Sequence, residues 1–475
     1  MLRKLAKHSA IYGVSTILGR LLSYLLTPYY TRMFSPSEYG VITDLYAMIP
    51  FVLVLLTFGM ESSYFRFAAK AEDEAGKRRL YATTWGITTL LSSIFIVALL
   101  LFNQPISAAM GAVYLDSPLL LPLVGWVILF DVLTCVPFAR LREQGKSGSY
   151  VVIKLLNIIL QVGLAILFGI NGLFSSSFGV GWVVVANLVA SVITFFLAGS
   201  VAGFVLPRLD RRLTIPILIY SFPLLLSGVA GTATDFIDRQ LIKYLTPVGA
   251  MAQLGIYGAV TKIAVVMTLF TQMYRLAAEP LFLANFKKDE FERSSAEAMK
   301  YYIIFTVAIF LGISLFRDIF AFIVGSEFRE GLYILPVVLA SNLLMGVWLN
   351  LSFWYKRSGD TRYGLYITLV GMVVSVGVNI VLIPIMGYFG AAIARLACES
   401  VMVLVSFTLS QRYSAVRYDL GRIGTYILLG GAIYAVSTAI TSGVAYYLAC
   451  VVMIALYVAF AIWREKIDLR VLIKG

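Results

Sequence analysis

The sequence predicts an all-α polytopic membrane protein with fourteen transmembrane helices. Three observations lead there: composition, the spacing of apolar runs, and the placement of basic residues. Of the 475 residues, 60% are hydrophobic and only 13% charged, whereas a soluble domain sits near about 45–50% and 25%. Apolar runs of about twenty residues, enough to cross a bilayer core as a helix, recur along the whole chain. A net charge of +13 raises nucleic acid as a partner. The basic residues fall instead in short clusters between the apolar runs, the pattern that membrane orientation requires, and the chain reads as one that binds no nucleic acid.

The fourteen runs cover 9–32, 40–65, 80–102, 118–139, 148–170, 178–205, 214–238, 252–279, 298–316, 331–355, 363–384, 388–410, 423–441 and 444–463. Sorting the basic residues tests the count. The N-terminal tail and the segments 66–79, 140–146, 208–212, 287–300, 356–362, 412–422 and 464–474 hold 28 of the 38 lysines and arginines. The alternate loops hold Arg32, Arg239, Lys243, Arg317 and Arg329, and the spans hold Arg20, Lys154, Lys262, Arg275 and Arg395. A miscounted helix would scramble this alternation, so it supports fourteen spans with both termini cytoplasmic. The start MLRKLAKHSA is followed by an apolar run longer than a signal-peptide core and lacking a small-residue cleavage site, so it reads as retained.

Soluble chemistry has little to stand on. Cys135, Cys398 and Cys450 lie inside apolar runs with no metal or disulfide spacing. GKS at 145–147 follows Arg140 where a phosphate loop needs glycine. The single histidine, His8, sits at the membrane edge, and the Asn350-Leu351-Ser352 sequon falls within an apolar run. The reading is a protein that is not an enzyme, without metal or cofactor.

The spans themselves carry charge. In the first, Gly13, Thr16, Arg20, Ser23 and Thr27 form one polar helical stripe. An arginine at that depth costs roughly 2.5–3.5 kcal/mol on insertion scales and faces a bundle interior or a wet cavity. The eighth span carries a second stripe, Thr261, Val265, Thr268, Gln272, Arg275 and Glu279, with Lys262 beside its outer end. Arg275 and Glu279, four residues apart, fit an intrahelical pair as well as substrate contact; Arg395 and Glu399 have the same spacing and read as structural. Span seven carries Asp235, Asp238 and Arg239, span two Asp44 and Glu61, span four Asp131, and span five Lys154, Asn157 and Gln161. So many ionisable groups fit a lined central cavity, and its cationic mid-depth positions suit an anionic cargo. Arg20, Lys262, Arg275 and Lys154 are the candidate substrate-binding residues. Asp44, Glu61, Asp235, Asp238 and Glu279 are candidates for coupling to H+ or Na+, or for balancing charge.

A weak repeat of roughly 215 residues runs through the chain. Thr31 to Thr43, TRMFSPSEYGVIT, is echoed by Leu245-Thr-Pro-Val and Ile256-Tyr257-Gly258-Ala-Val-Thr261; Arg142-Glu-Gln-Gly145 before Tyr150 is echoed by Arg357-Ser-Gly359 before Tyr363. With six spans before Arg208 and six more before Arg412, this predicts two six-helix lobes, 1–207 and 208–413, and a terminal helix pair with its tail, 414–475. An even span number starts both lobes from one side, so their pseudo-two-fold axis runs along the membrane normal.

TRMFSPSEYGVIT (31–43), LGIYGAVTKI (254–263) and AAEP (277–280) resemble segments of Wzx-type oligosaccharide flippases, in the polysaccharide transporter branch of the multidrug/oligosaccharidyl-lipid/polysaccharide (MOP) exporter superfamily. The resemblance implies alternating access through a central cationic cavity. It also implies a cargo of undecaprenyl-pyrophosphate-linked oligosaccharide, moved from the cytoplasmic to the outer leaflet of a bacterial inner membrane. Arg20 and Lys262 would meet the pyrophosphate, and glycan polymerase or ligase machinery would be a partner beside membrane lipid. A flippase of the peptidoglycan precursor lipid II and a cation-coupled multidrug exporter of the same superfamily are the nearest alternatives. A membrane glycosyltransferase or ligase is the alternative from another class; it needs a large loop bearing a catalytic carboxylate or histidine.

Overall fold

The computed structural model describes residues 24, 26–283, 288–360, 362–413, 416–440 and 443–466, with the side chains at 280, 281, 283, 288 and 289 outside that set. The regular secondary structure of these residues is all helical. Twelve helices among them are long and apolar enough to cross a membrane, or thirteen when a bent pair counts as one span. They gather into two compact units, one running to Lys243 and including Gly249–Gly255, the other comprising Tyr244–Val248 and the chain from Ile256 onward.

In the first unit, helix α1 (26–33) turns within two residues into α2 (Pro36–Thr57). The turn is written in the sequence Ser-Pro-Ser-Glu. Ser35 accepts from the Glu38 amide while the Glu38 carboxylate accepts from the Ser35 amide at 2.9 Å, a complete capping box with Pro36 at the first helical position. The second span is broken near its other end. Phe58 and Gly59 both take left-handed backbone, φ 50° and 68°, before α3 (Met60–Ala68). For phenylalanine that conformation costs roughly 1–2 kcal/mol, and Gly59 supplies the partner residue that adopts it freely.

The rest of the unit is α4 (Glu74–Leu101), the short α5 (Asn103–Met110) and α6 (Ala112–Asp116), α7 (Leu120–Glu143), α8 (Ser147–Ile170), α9 (Val180–Ala202) and α10 (Arg211–Leu245). The most buried span is α7, which packs against α2, α3, α4, α8 and α9. Val124, Val127, Ile128, Val132 and Val136 of α7 are fully buried. Helix α11 (Ala250–Ile263) opens against α2 at very close range. A β-carbon placed on Gly255 would lie 2.0 Å from the Pro36 carbonyl oxygen, and one on Gly40 1.9 Å from that of Met251. Two of the sequence segments that carry the family resemblance therefore meet at their glycines, the small-residue device that lets membrane helices approach.

The second unit continues with α12 (Val265–Leu283), α13 (Lys288–Leu315), α14 (Arg317–Phe320), α15 (Leu335–Leu351), α16 (Phe353–Ser358), α17 (Arg362–Met386), α18 (Tyr388–Tyr413), α19 (Leu420–Ala439) and α20 (Val444–Glu465). Its centre is α13 with α15, the two most buried spans there. The Glu465 carboxylate, 1% exposed, accepts from Lys300 of α13, from the Tyr426 hydroxyl of α19 at 2.9 Å and from Arg422 at 3.4 Å.

In each unit the basic clusters collect at one end. In the first, Lys77 pairs with Glu143 at 2.8 Å, Lys146 donates to the Val201 carbonyl at 2.9 Å, and the Arg208 amide donates to the Ala82 carbonyl at 3.1 Å. Segments 66–79, 140–146 and 208–212 thus share a face. In the second, Lys356 reaches Glu279 while Lys300 and Arg422 share Glu465.

Two sequence expectations are corrected. Span seven does not stop at 238 but runs unbroken to Leu245, because the charges in its added turns are absorbed: Asp238 and Lys243 are both buried. The polar stripe from Thr261 to Glu279 is not one continuous face, because α11 and α12 meet at a 48° bend at Ala264. The Ala264 carbonyl loosened there accepts from the Met267 amide at 3.1 Å and the Asn342 side chain at 3.4 Å, as a broken membrane helix requires.

Candidate functional site

The interior charges sort by the partner each meets. Asp44, wholly buried on α2, receives three donors: Lys243 Nζ of α10 at 2.5 Å, the Tyr114 hydroxyl of α6 at 2.6 Å, and Gln240 Nε2 at 2.6 Å on its second oxygen. The Lys243 ammonium also lies 4.7 Å from the centre of the Tyr114 ring. A buried carboxylate needs this degree of hydrogen-bond satisfaction. At the other end of the same span Glu61 pairs with Arg142, whose guanidinium lies over the Phe65 and Tyr150 rings. Asp44 and Glu61 therefore each pair with a base in this structure.

In the second unit the Arg275–Glu279 pair forms at 2.9 Å, and Glu279 also accepts from Lys356 of α16 at 2.8 Å. The Arg395–Glu399 pair forms at 3.2 Å. Arg275 keeps an exposed guanidinium, and Lys262 is half-buried in the last turn of α11. Asp235 is exposed while its backbone carbonyl accepts from Arg239 at 2.7 Å; Asp238 is buried. Lys154 is exposed on α8 with its ammonium 4.9 Å from the Phe138 ring centre. Arg20 lies outside the described residues. Of the candidate residues, Arg275 and Glu279 are in direct contact with each other.

A polar cluster on four helices of the first unit is where sequence reasoning was thinnest. Asp131 of α7 lies beside Ser191 of α9, with Lys154 as its basic neighbour. Asn157 of α8 donates to the Thr194 hydroxyl at 2.8 Å, and Gln161 donates to the Tyr46 hydroxyl of α2 at 3.2 Å. Asp131, Asn157 and Gln161 stand out singly as polar residues in apolar runs. Tyr46, Ser191 and Thr194 carry no such signal, and only the packing of α2, α7, α8 and α9 assembles the group. An intramembrane carboxylate among hydroxyls and amides can take up a proton or a small cation.

A polytopic helical fold whose interior holds paired charges, amides and hydroxyls is that of a multi-span membrane protein. The sequence matches the family model described as polysaccharide biosynthesis protein over residues 5–286, more than half of the chain. The chain belongs to that family. A relative from Haloferax volcanii, a probable low-salt glycan biosynthesis flippase named Agl15, is 20% identical over 447 residues, covering 91% of this chain and 90% of that one. Among solved structures, the fold is similar to that of the lipid II flippase MurJ in an inward closed conformation. The TM-score is 0.77 at 14% identity, over 96% of this chain and all of that one. It is also similar to an inward-facing multidrug resistance transporter of the MATE family, with a TM-score of 0.70 at 16% identity, over 84% and 95% of the two chains.

Proposed function

We propose that this protein flips an undecaprenyl-pyrophosphate-linked oligosaccharide from the cytoplasmic to the outer leaflet of a bacterial inner membrane by alternating access. The observation that carries the reading is the family match over residues 5–286, a range that holds both Arg20 and Lys262. The physics of the cargo agrees. Sugar hydroxyls cost several kcal/mol each in hydrocarbon without partners, so the headgroup needs a polar route while the lipid tail stays in the bilayer. Arginine and lysine at mid-depth neutralise the diphosphate. The proposed architecture is fourteen spans, in two six-helix lobes over 1–207 and 208–413 related by a pseudo-two-fold along the membrane normal, followed by the terminal pair. The thirteen spans of the described residues, preceded by the apolar run 9–32, support that count.

Arg20 and Lys262 are assigned to the diphosphate, with Arg275 and Lys154 as further cationic contacts. For coupling to H+ or Na+, Asp235 and Asp238 remain candidates and Asp131 joins them, whereas Asp44, Glu61 and Glu279 hold bases in place. Glycan polymerase or ligase machinery would receive the product. Deleting the gene should cause one lipid-linked saccharide to accumulate on the cytoplasmic side. Accumulation of lipid II instead would select the peptidoglycan reading.

Two further results are expected. Arg20→Ala should abolish glycan export while the protein stays at its normal level in the membrane; Arg20→Lys, which keeps the charge and loses the planar fork, should export partially. Disappearance of the Arg20→Ala protein would make the arginine structural. Both termini cytoplasmic means that reporter fusions after Lys77 and Lys288 should read cytoplasmic and one after Asp116 external. An external signal at Lys288 would remove the two-lobe architecture.

A further inference from the structure

Beside the basic end of the first unit lies an open cavity of about 1230 Å³ to which no role in transport is assigned. Its rim holds three arginines, Arg78 and Arg79 from the first turns of α4 and Arg208 from the segment joining α9 to α10. All three are exposed, and none has a carboxylate within ion-pair distance among the described residues. Asp210 is the one acid on the rim, and its carboxylate accepts from the Arg212 amide at 2.9 Å. The rim therefore carries an excess of two positive charges.

The floor is apolar and built. Gly203, at φ 84°, turns the chain out of α9, and Phe204 folds back onto Gly199. Its ring centre lies 6.1 Å from that of Trp85 and 6.0 Å from that of Phe195. The following segment runs down α4, where Gly86 leaves room for its backbone at Arg208 and the Ala82 carbonyl receives the Arg208 amide. This segment is non-helical, yet Phe204, Leu206 and Leu209 are 47%, 76% and 52% exposed. Non-helical backbone is not tolerated in the hydrocarbon itself, so the segment belongs at the headgroup level, with those side chains reaching toward the acyl region.

The geometry points to a binding site for an anionic phospholipid: its phosphate would lie among Arg78, Arg79 and Arg208, and an acyl chain along Phe204 and Leu206. Basic pockets between membrane helices hold acidic headgroups in this way. The exposed leucines and phenylalanine favour a lipid over a soluble phosphate, which would leave them uncovered. This inference does not rest on the identity of the transported cargo.

The test uses the full-length protein in nanodiscs holding equal phosphatidylglycerol and phosphatidylcholine, with lipids retained after extraction read by native mass spectrometry. The wild type should retain phosphatidylglycerol selectively. Each of Arg78→Gln, Arg79→Gln and Arg208→Gln should weaken that preference about fivefold, and the triple variant on the order of a hundredfold. Arg211→Gln/Arg212→Gln removes two exposed charges from the same end but not from the cavity, and should keep the preference. The single variants decide the matter if the triple one does not accumulate. Unchanged selectivity in all three, or equal loss in the Arg211/Arg212 control, overturns the site. Displacement of the lipid by tens of millimolar inorganic phosphate would overturn it in favour of a soluble anion.

Discussion

Lys243→Ala is expected to destabilise the protein by about 3–5 kcal/mol, because it leaves the Asp44 carboxylate charged and buried without its counter-ion. Asp44 is wholly buried and the Lys243 ammonium sits 2.5 Å from it, so water cannot take the lysine's place without opening the packing. Losses of even about 1–2 kcal/mol change steady-state abundance several-fold, and the variant should be nearly absent from membranes at normal expression. Asp44→Asn/Lys243→Met should recover most of the level. The asparagine oxygen still accepts from Gln240, and the Tyr114 hydroxyl can turn to accept from the new amide. Quantitative blotting of membranes and thermal melts in detergent measure both. A Lys243→Ala protein as stable as the wild type would show that the pair contributes nothing to folding.

Glycine replacements should change sign with position. Gly255→Ala places a β-carbon 2.0 Å from the Pro36 carbonyl oxygen and 2.9 Å from the Gly40 nitrogen, where ordinary contacts begin at 3.4 Å. Both neighbours are backbone, so no side chain can rotate away and α2 and α11 must part along their length. A loss of about 1–3 kcal/mol or more is expected, with the same outcome for Gly40→Ala. Gly163→Ala, on an open face of α8 with nothing within 4 Å, should instead stabilise by about 0.5–1 kcal/mol through helix propensity. Melting temperatures of the three variants in one detergent test the contrast, and equal shifts would refute it.

What the sequence made legible follows from locality. Membrane spans announce themselves because each must be apolar over about twenty consecutive residues, and Arg275–Glu279 and Arg395–Glu399 because one helix turn sets their distance. The capping box at Ser35 and Glu38 is likewise local. Asp44 could be marked as an acid needing a partner, but Lys243 stands 199 residues away and reads, by position, as a loop residue. Arg142 reads as part of a cytoplasmic cluster for the same reason, although its pairing with Glu61 fixes two helices. The break at Phe58 and Gly59 and the bend at Ala264 leave no mark in hydropathy, since both are apolar. Nor could the hydroxyls around Asp131 be told from the many serines and threonines that donate back to their own helices, as Thr84 and Thr88 do.

The Glu465 carboxylate bears on how the chain tolerates being shortened. The last two spans might be taken for an appendage that could be trimmed without harm to the rest. Yet the final residue of α20 gathers donors from α13 and α19, and Lys300, 14% exposed, relies on it for its counter-charge. A stop codon after Arg464 would remove Glu465 and so strip an ammonium, a hydroxyl and a guanidinium of their common acceptor. Glu465 of α20 therefore ties α13 and α19 together within the second unit.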